Sequence, residues 1–246
     1  MGRKRVDLLL VERGLFDSRA KARAAIEAGR VMVGGQAVRR PADLLDDDCE
    51  ITATPAHPWV GRGALKLAHA LDLWPIAVEG RRVLDVGAST GGFTEVCLSR
   101  GAARICAVDV GRGQLHPRIA ADPRVLSLEA TDARNVDLGL VGFAPDLIVC
   151  DVSFISLAKA LPRALSLAGA GAEAIVLVKP QFEVGPGAVG KGGVVKDEAA
   201  RARALAEVEA FLGDVGWQVN AVAQSPITGS DGNLEFLLWA AKKPPG

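Results

Sequence analysis

Four ionisable residues stand where a side chain can do chemistry rather than simply meet water. Lys66 lies in GRGALKLAHAL, Asp151 follows LIVC, Lys179 follows AIVLV, and Glu235 lies in NLEFLLW. Two amines and two carboxylates are a set that can move a proton and steady the charge that develops when it moves. Taken singly, a charge at the end of an element is usually just solvated. Lys179 resists that reading. It closes a run of branched apolar residues and is followed by Pro180, so its amine is expected beside a core strand, where desolvation is costly.

The elements that must position these residues alternate. Strands are predicted at 82–86, 104–109, 125–128, 146–150 and 174–178, and helices at 63–73, 92–100, 155–168 and 197–215. Such alternation specifies an open, mostly parallel sheet with helices on both faces. The C-terminal ends of its strands line the ligand crevice, which would bring Asp151 and Lys179 together. The chain then changes character. Residues 217–227 and 233–241 read as two strands joined by TGSDG, an antiparallel closing hairpin that places Glu235 inside the last strand. The resulting α/β architecture has a mostly parallel, seven-stranded sheet with an antiparallel C-terminal hairpin. It resembles class I methyltransferases, which use S-adenosylmethionine (SAM), more than the all-parallel dinucleotide fold.

The stretch RRVLDVGASTGGFTE is a strand, a glycine loop and a helix start. Its glycines let a ligand approach the backbone, and the helix N-terminus favours a carboxylate or similar anion. The dinucleotide pattern G-x-G-x-x-G fails, because Ser89 stands where its second glycine belongs. The loop D-x-G-x-x-x-G-G resembles a SAM loop instead. Cofactor contacts are therefore expected from Asp85, Gly87, Ser89, Gly91, Gly92 and Phe93. Asp109 at the end of the second strand is placed for ribose hydroxyls. Asp132 and Ala133, after the third strand, are placed for the adenine amine, and Asp151 borders the same crevice. GPGAVGKG fits the first seven positions of a P-loop, but Gly192 occupies the place of the magnesium-binding Ser or Thr. That segment reads as a mobile lid.

The first forty residues differ in texture. They hold ten Lys and Arg against four acids, a net of +6 in a chain whose 29 basic and 29 acidic residues otherwise cancel. They read as two helices followed by a hairpin turning at Gly34-Gly35, with Asp17 or Ser18 capping the second helix and Ala22, Ala25 and Ile26 on its inner face. The acidic stretch DLLDDDCE and the Pro/Gly-rich segment around Trp59 read as the boundary, giving domains at 1–55 and 64–246 with a linker at 56–63. Arg3, Lys4, Arg5, Arg19, Lys21, Arg23 and Arg30 are candidate RNA contacts, made through phosphates. With 49% apolar and 24% charged residues the chain can bury a substantial core. Cys49, Cys97, Cys106 and Cys150 are scattered, and His57, His69 and His116 match no metal spacing. Reduced thiols, no metal, no membrane span and a cytoplasmic location are expected.

The order Lys66, Asp151, Lys179, Glu235 resembles the K-D-K-E tetrad of FtsJ/RrmJ-like ribose 2′-O-methyltransferases. The contexts VGRGALKL, DVGASTGGFT, CDVSFISL, LVKPQFEVG and KGGVVKD resemble the TlyA family in particular, in which an S4 RNA-binding domain precedes the methyltransferase. VDLLLVERGLFDSRAKARAAIEAGRVMVGGQAV resembles the S4 half, a small α+β fold that reads RNA shape. The resemblance implies SAM-dependent 2′-O-methylation of a cytidine in rRNA, free or within a ribosomal subunit. Lys179 would activate the hydroxyl, Asp151 and Lys66 would orient or assist it, and Glu235 would hold a lysine or the ribose. A lysine can act as base where burial and neighbouring cations bring its pKa toward neutrality. An adjacent carboxylate acts in the opposite sense, which leaves the proton acceptor open. The short stretch after Glu235 resembles the family's shorter members, which favours 23S rRNA over 16S. Two competing classes remain. TlyA-like proteins have been described as haemolysins, but no amphipathic or apolar membrane element stands out here. An S4-bearing pseudouridine synthase would need no SAM loop.

Overall fold

The computed structural model describes residues 2–244 except 186, 188, 191 and 230. Lys191, which opens KGGVVKD, and Ser230, within TGSDG, lie outside the described residues. The chain forms two compact units, Met1–Pro58 and Trp59–Gly246.

In the first unit, β1 (Arg3–Arg5) leads into α1 (Val6–Glu12) and α2 (Arg19–Glu27), followed by β2 (Val31–Val33), β3 (Gln36–Ala37), β4 (Leu44–Asp46) and β5 (Ile51–Ala53). The Ser18 hydroxyl caps α2, accepting the Lys21 N–H at 3.3 Å. Gly34 and Gly35, both at positive φ, make the β2–β3 turn, which a side chain would strain. Ala22, Ala25 and Ile26 pack with Val6, Leu10, Phe16 and Val31 into a small core. The acidic stretch expected as boundary belongs to this unit instead. Leu44–Asp46 pairs antiparallel with β1, and Ile51–Ala53 pairs antiparallel with β2. Strands of three residues are too short for alternation to betray them.

The second unit begins with α3 (Ala64–Leu73), then β6 (Arg82–Val86), α4 (Gly92–Ser99), β7 (Arg104–Val108), α5 (Pro117–Ala120), β8 (Val125–Leu128), α6 (Leu138–Val141) and β9 (Leu147–Cys150). There follow α7 (Leu157–Ala160), α8 (Pro162–Leu167), β10 (Glu173–Val178), α9 (Pro180–Glu183), α10 (Glu198–Asp214), β11 (Trp217–Gln224) and β12 (Phe236–Lys242). The seven strands run in the order β11-β12-β10-β9-β6-β7-β8. β12 is antiparallel to both neighbours, whereas β10, β9, β6, β7 and β8 are mutually parallel.

Central strands of a parallel sheet are covered on both faces, hence their unbroken apolar runs. Alternate residues of each strand feed two cores. Leu84, Ile148, Val176 and Leu238 pack on one side with Leu157, Leu161, Val208 and Leu212 of α7, α10 and their surroundings. Val83, Val149, Ile175 and Leu237 pack on the other with Ala64, Leu67 and Leu71 of α3 and Phe93 and Val96 of α4. The helix expected over 155–168 is broken into α7 and α8, because Pro162 cannot donate a backbone N–H and instead opens a new helix. The last strand begins at Phe236, so Glu235 precedes it rather than lying inside it, although its carbonyl still accepts the Ser225 N–H at 2.9 Å. Among the described residues no helix is long and apolar enough to cross a membrane.

Candidate active site

Lys66 is carried on α3, Asp151 follows β9, Lys179 follows β10, and Glu235 precedes β12. These elements bring all four to a single cleft of about 320 Å³. Lys179 Nζ lies 2.5 Å from Asp151 Oδ1 and donates to the Ser153 hydroxyl at 2.9 Å. Lys66 Nζ lies 2.5 Å from Glu235 Oε2 and 3.9 Å from Asp151 Oδ2. The result is a chain of alternating charge, Lys179–Asp151–Lys66–Glu235. Both lysines are 7% exposed and Glu235 is 2% exposed, so these charges are held by one another more than by water. Asp151 Oδ1 and Glu235 Oε2 make ionic contacts without hydrogen-bond geometry, which leaves each a buried acceptor with capacity to spare.

A second cleft, of about 440 Å³, opens over the glycine loop. Gly87, Ser89, Asp109, Asp132, Ala133 and Asp151 all line it, beside Val86, Val108 and Ile155. Acids at the rim of an apolar slot suit a nucleoside, with carboxylates for hydroxyl and amine donors and branched side chains for the ring faces. The loop leaves that space open for a reason of backbone geometry. Gly87 has φ +83°, and a Cβ there would fall 2.6 Å from the Asp151 carbonyl oxygen. Gly91 has φ +93° and forms the N-cap of α4 beneath Leu115.

Asp109 shapes the loop as well as bordering the cleft, since its carboxylate accepts the N–H groups of Ser89 at 2.8 Å and Gly111 at 2.7 Å. Asp132 is paired with Arg134 at 2.6 Å, which holds its carboxyl below the usual range. Gly92 and Phe93 border the neighbouring hollow between the glycine loop and Lys179, although the Phe93 ring itself is packed in the core. Asp85 departs from expectation. It is fully buried behind the loop and accepts the Thr94 hydroxyl at 2.6 Å, while its Oδ1 has no hydrogen-bond partner. Burial raises its pKa to about 7, against the opposing effect of the Thr94 hydrogen bond.

The two clefts meet. Asp151, Ser153 and Phe154 border both of them. Phe154 is 91% exposed at φ +65°, and its ring lies 5.1 Å from that of Phe182. Ser153, Phe154, Gln181 and Phe182 were not singled out from sequence. Their clue was position, since each lies within three residues of Asp151 or Lys179. Glu129 was also missed. Its carboxylate accepts the N–H groups of Gly113, Gln114 and Leu115, and these bonds lower its pKa. That fixes the loop whose Val110 and Gln114 border the second cleft. Glu95 likewise accepts the Val60 N–H at 2.6 Å and pairs with Arg118, anchoring the segment that delivers Arg62 and Gly63 to both the first cleft and the neighbouring hollow.

The basic residues of the first unit are less free than their number implies. Asp7, wholly buried, is met by Arg5 at 3.0 Å, Arg19 at 2.9 Å and Arg23 at 3.7 Å. The Arg5 hydrogen bonds above all hold its carboxyl down at about 2. Lys4 pairs with Glu12, Lys21 with Asp17, and Arg3 donates to the Leu44 carbonyl. These side chains keep an exposed edge, so they can still meet phosphate, but each is oriented by a partner within the unit. Arg30 lies exposed just before β2.

Comparison with known proteins adds to this geometry. The family described as FtsJ-like methyltransferase matches residues 59–242, and the S4 domain matches residues 4–51. The chain is 48% identical over 239 residues to the 16S/23S rRNA (cytidine-2′-O)-methyltransferase TlyA of Mycobacterium tuberculosis, covering 96% of this chain and 89% of that one. It is 34% identical over 251 residues to the 23S rRNA (cytidine-2′-O)-methyltransferase TlyA of Campylobacter jejuni, covering 94% and 97%. A solved structure from Streptococcus thermophilus whose description carries the word hemolysin is 38% identical, with a TM-score of 0.78 over 99% of this chain and 90% of that one.

Proposed function

The chain belongs to the FtsJ-like methyltransferase family, and from that premise we propose that it methylates the ribose 2′-hydroxyl of a cytidine in ribosomal RNA, using SAM. The observation that carries this reading is the shared wall of the two clefts. Asp151, Ser153 and Phe154 border both, so a nucleoside-type cofactor in one and a nucleotide in the other would meet beside Lys179.

The residues of the second cleft fit SAM. Asp109 offers its carboxylate to the ribose hydroxyls, Asp132 and Ala133 face the adenine end, and the loop from Gly87 to Gly92 presents backbone to the amino-acid end. Asp85 acts from behind, bracing the loop through Thr94. When bound, the cofactor supplies an electrophilic methyl group on a cationic sulfur.

The protein's share of the chemistry is orientation and proton handling. A 2′-hydroxyl placed beside Lys179 and Ser153 gives up its proton to Lys179 Nζ once that amine has released to solvent the proton it holds in its ion pair with Asp151. Asp151 Oδ1, 2.5 Å away, stabilises the ammonium that forms. Lys66 balances the charge of Asp151 and is itself held by Glu235. The burial of Lys66, Lys179 and Glu235 keeps these charges largely out of bulk water, which strengthens their interactions. Phe154 offers an exposed aromatic face at the mouth, suited to an unstacked base.

The S4 unit supplies phosphate contacts through the outer edges of Arg5, Arg19, Arg23 and their neighbours. Large-subunit RNA is named for both relatives, which favours 23S rRNA as substrate, with 16S rRNA second. A cytoplasmic location accords with either. The test is SAM-dependent transfer of tritiated methyl to each rRNA and each ribosomal subunit, followed by mapping of 2′-O-methylated nucleotides. Dye release from liposomes runs alongside, because hemolysin appears among the names of similar proteins. Leakage without methyl transfer would overturn the reading.

A further inference from the structure

Two short segments carry the reacting centre, and they are stitched together at a point outside it. The turn after β9 holds Asp151, Ser153 and Phe154, and ends at α7. The segment after β10 holds Lys179, Gln181 and Phe182, and ends at Glu183. The Leu157 N–H, the first of α7, donates to Glu183 at 3.0 Å to Oε1 and 3.3 Å to Oε2. The adjacent Ser156 provides no side-chain cap for that helix, so the carboxylate of a different segment takes the role. Between this fastening and the Lys179–Ser153 hydrogen bond lies the contact of Phe154 with Phe182.

We propose that Glu183 is a positioning residue for methyl transfer, its carboxylate holding the turn that follows Asp151 in register with the segment that follows Lys179. The inference rests on the catalytic reading given above for those residues. Glu183 itself borders neither cleft, so its influence passes through the two segments it joins. The turn it secures is one that would not hold its shape unaided, because Phe154 sits at φ +65°, a region that non-glycine residues occupy only when their surroundings enforce it. The carboxylate is also poised to change state. Burial raises its pKa to about 7, the Leu157 hydrogen bond acts in the opposite sense, and Glu207 of the adjoining α10 adds a further upward push. Protonation near neutrality would weaken a charge-assisted bond to an ordinary one, and loosen the turn without dismantling the site.

The experiment compares wild type, E183A and E183Q in single-turnover transfer to ribosomal subunits from cells lacking the gene, at saturating SAM, between about pH 6 and 8.5. E183A removes the acceptor and is expected to slow transfer about ten- to a hundredfold, with SAM and RNA dissociation constants changed less than about twofold. E183Q keeps a neutral acceptor. It should run near the wild-type low-pH rate throughout and lack the rise centred near 7 that is expected of the wild type. E183A turnover within about twofold of wild type at every pH overturns the proposal, as does a rate loss matched by an equal loss of SAM affinity. Where E183A does not fold, an unchanged pH profile in E183Q is the overturning result. A wild-type protein that transfers no methyl group overturns the functional reading, and this inference with it.

Discussion

Glu235 meets Lys66 across the cleft floor, with 2.5 Å between Oε2 and Nζ and side chains only 2% and 9% exposed. Removing Glu235 leaves Lys66 buried with only its longer 3.9 Å contact to Asp151, a loss that approaches the roughly 3–5 kcal/mol of a broken buried pair. E235A should therefore lower the thermal midpoint, whereas K66M/E235M, which removes both charges and keeps bulk, should recover much of it. Neither variant should transfer methyl groups. Calorimetry beside a methylation assay separates the two effects, and recovered activity in the double variant would remove the pair from the chemistry.

In the proposed reading Lys179 takes the hydroxyl proton, and it lines the first cleft rather than the larger second one. K179A should reduce transfer by about two to four orders of magnitude, the range of a lost general base, while SAM still binds. K179R keeps the charge but not a ready proton acceptor, and should rescue little. Turnover and isothermal titration on the same preparations check this; a K179A enzyme with near-normal turnover denies Lys179 its role.

In the S4 unit, Asp7 organises three arginines at the start of α1. Its folded pKa of about 2 lies below the ordinary 3.8, so its stabilising effect is full above about pH 4 and fades as pH falls through 2. The difference corresponds to about 2 kcal/mol at neutral pH. D7N should cost the unit roughly that amount and flatten its acid-unfolding limb. Urea titration across pH measures both, and an unchanged acid limb would contradict the assignment.

How far the sequence foretold this arrangement depends on range. Asp151 and Lys179 were legible because each ends an apolar run, and parallel strands present their C-terminal ends to one crevice. The glycine loop was legible because positive φ at Gly87 and Gly91 leaves few substitutes. Three things were hidden. The pairing of Arg5, Arg19 and Arg23 with Asp7 depends on how a strand and two helices fold back on one another, which charge counting cannot see. Nothing in the sequence marks Phe154, and only the turn there puts its ring in water. Asp85 reads as a ligand contact because it opens the loop, yet burial turns it into a brace behind the loop.

That brace has a pH signature. Asp85 titrates near 7 in the folded protein against an ordinary 3.8, so between these values the folded state keeps a proton that the unfolded chain has released. Stability should fall as pH rises from about 4 to 7 and level off above, by on the order of 4 kcal/mol. D85N retains an acceptor for the Thr94 hydroxyl and carries no charge, so it should remove most of that slope. A smaller residue of it will remain from Glu183, whose pKa is also raised to about 7. Thermal midpoints at half-unit pH intervals decide it, and a D85N slope equal to wild type would show that the strain lies elsewhere.

Phe154 concentrates two costs in one residue, a large apolar ring left 91% exposed and a backbone at φ +65°. The backbone strain alone is worth about 1–3 kcal/mol, and no burial of the ring offsets it. Its position at the junction of the two clefts supplies a reason, since a base unstacked from RNA gains about 1–3 kcal/mol on an aromatic face. F154A should therefore weaken productive RNA binding by roughly 5- to 150-fold. The backbone offers a second possibility, that the turn matters and the ring does not. F154G tells them apart, because glycine adopts positive φ without strain but carries no ring. If stacking is the function, F154G should be as defective as F154A in KM for rRNA while being the more stable protein. An F154G enzyme with wild-type KM would assign the residue to the turn.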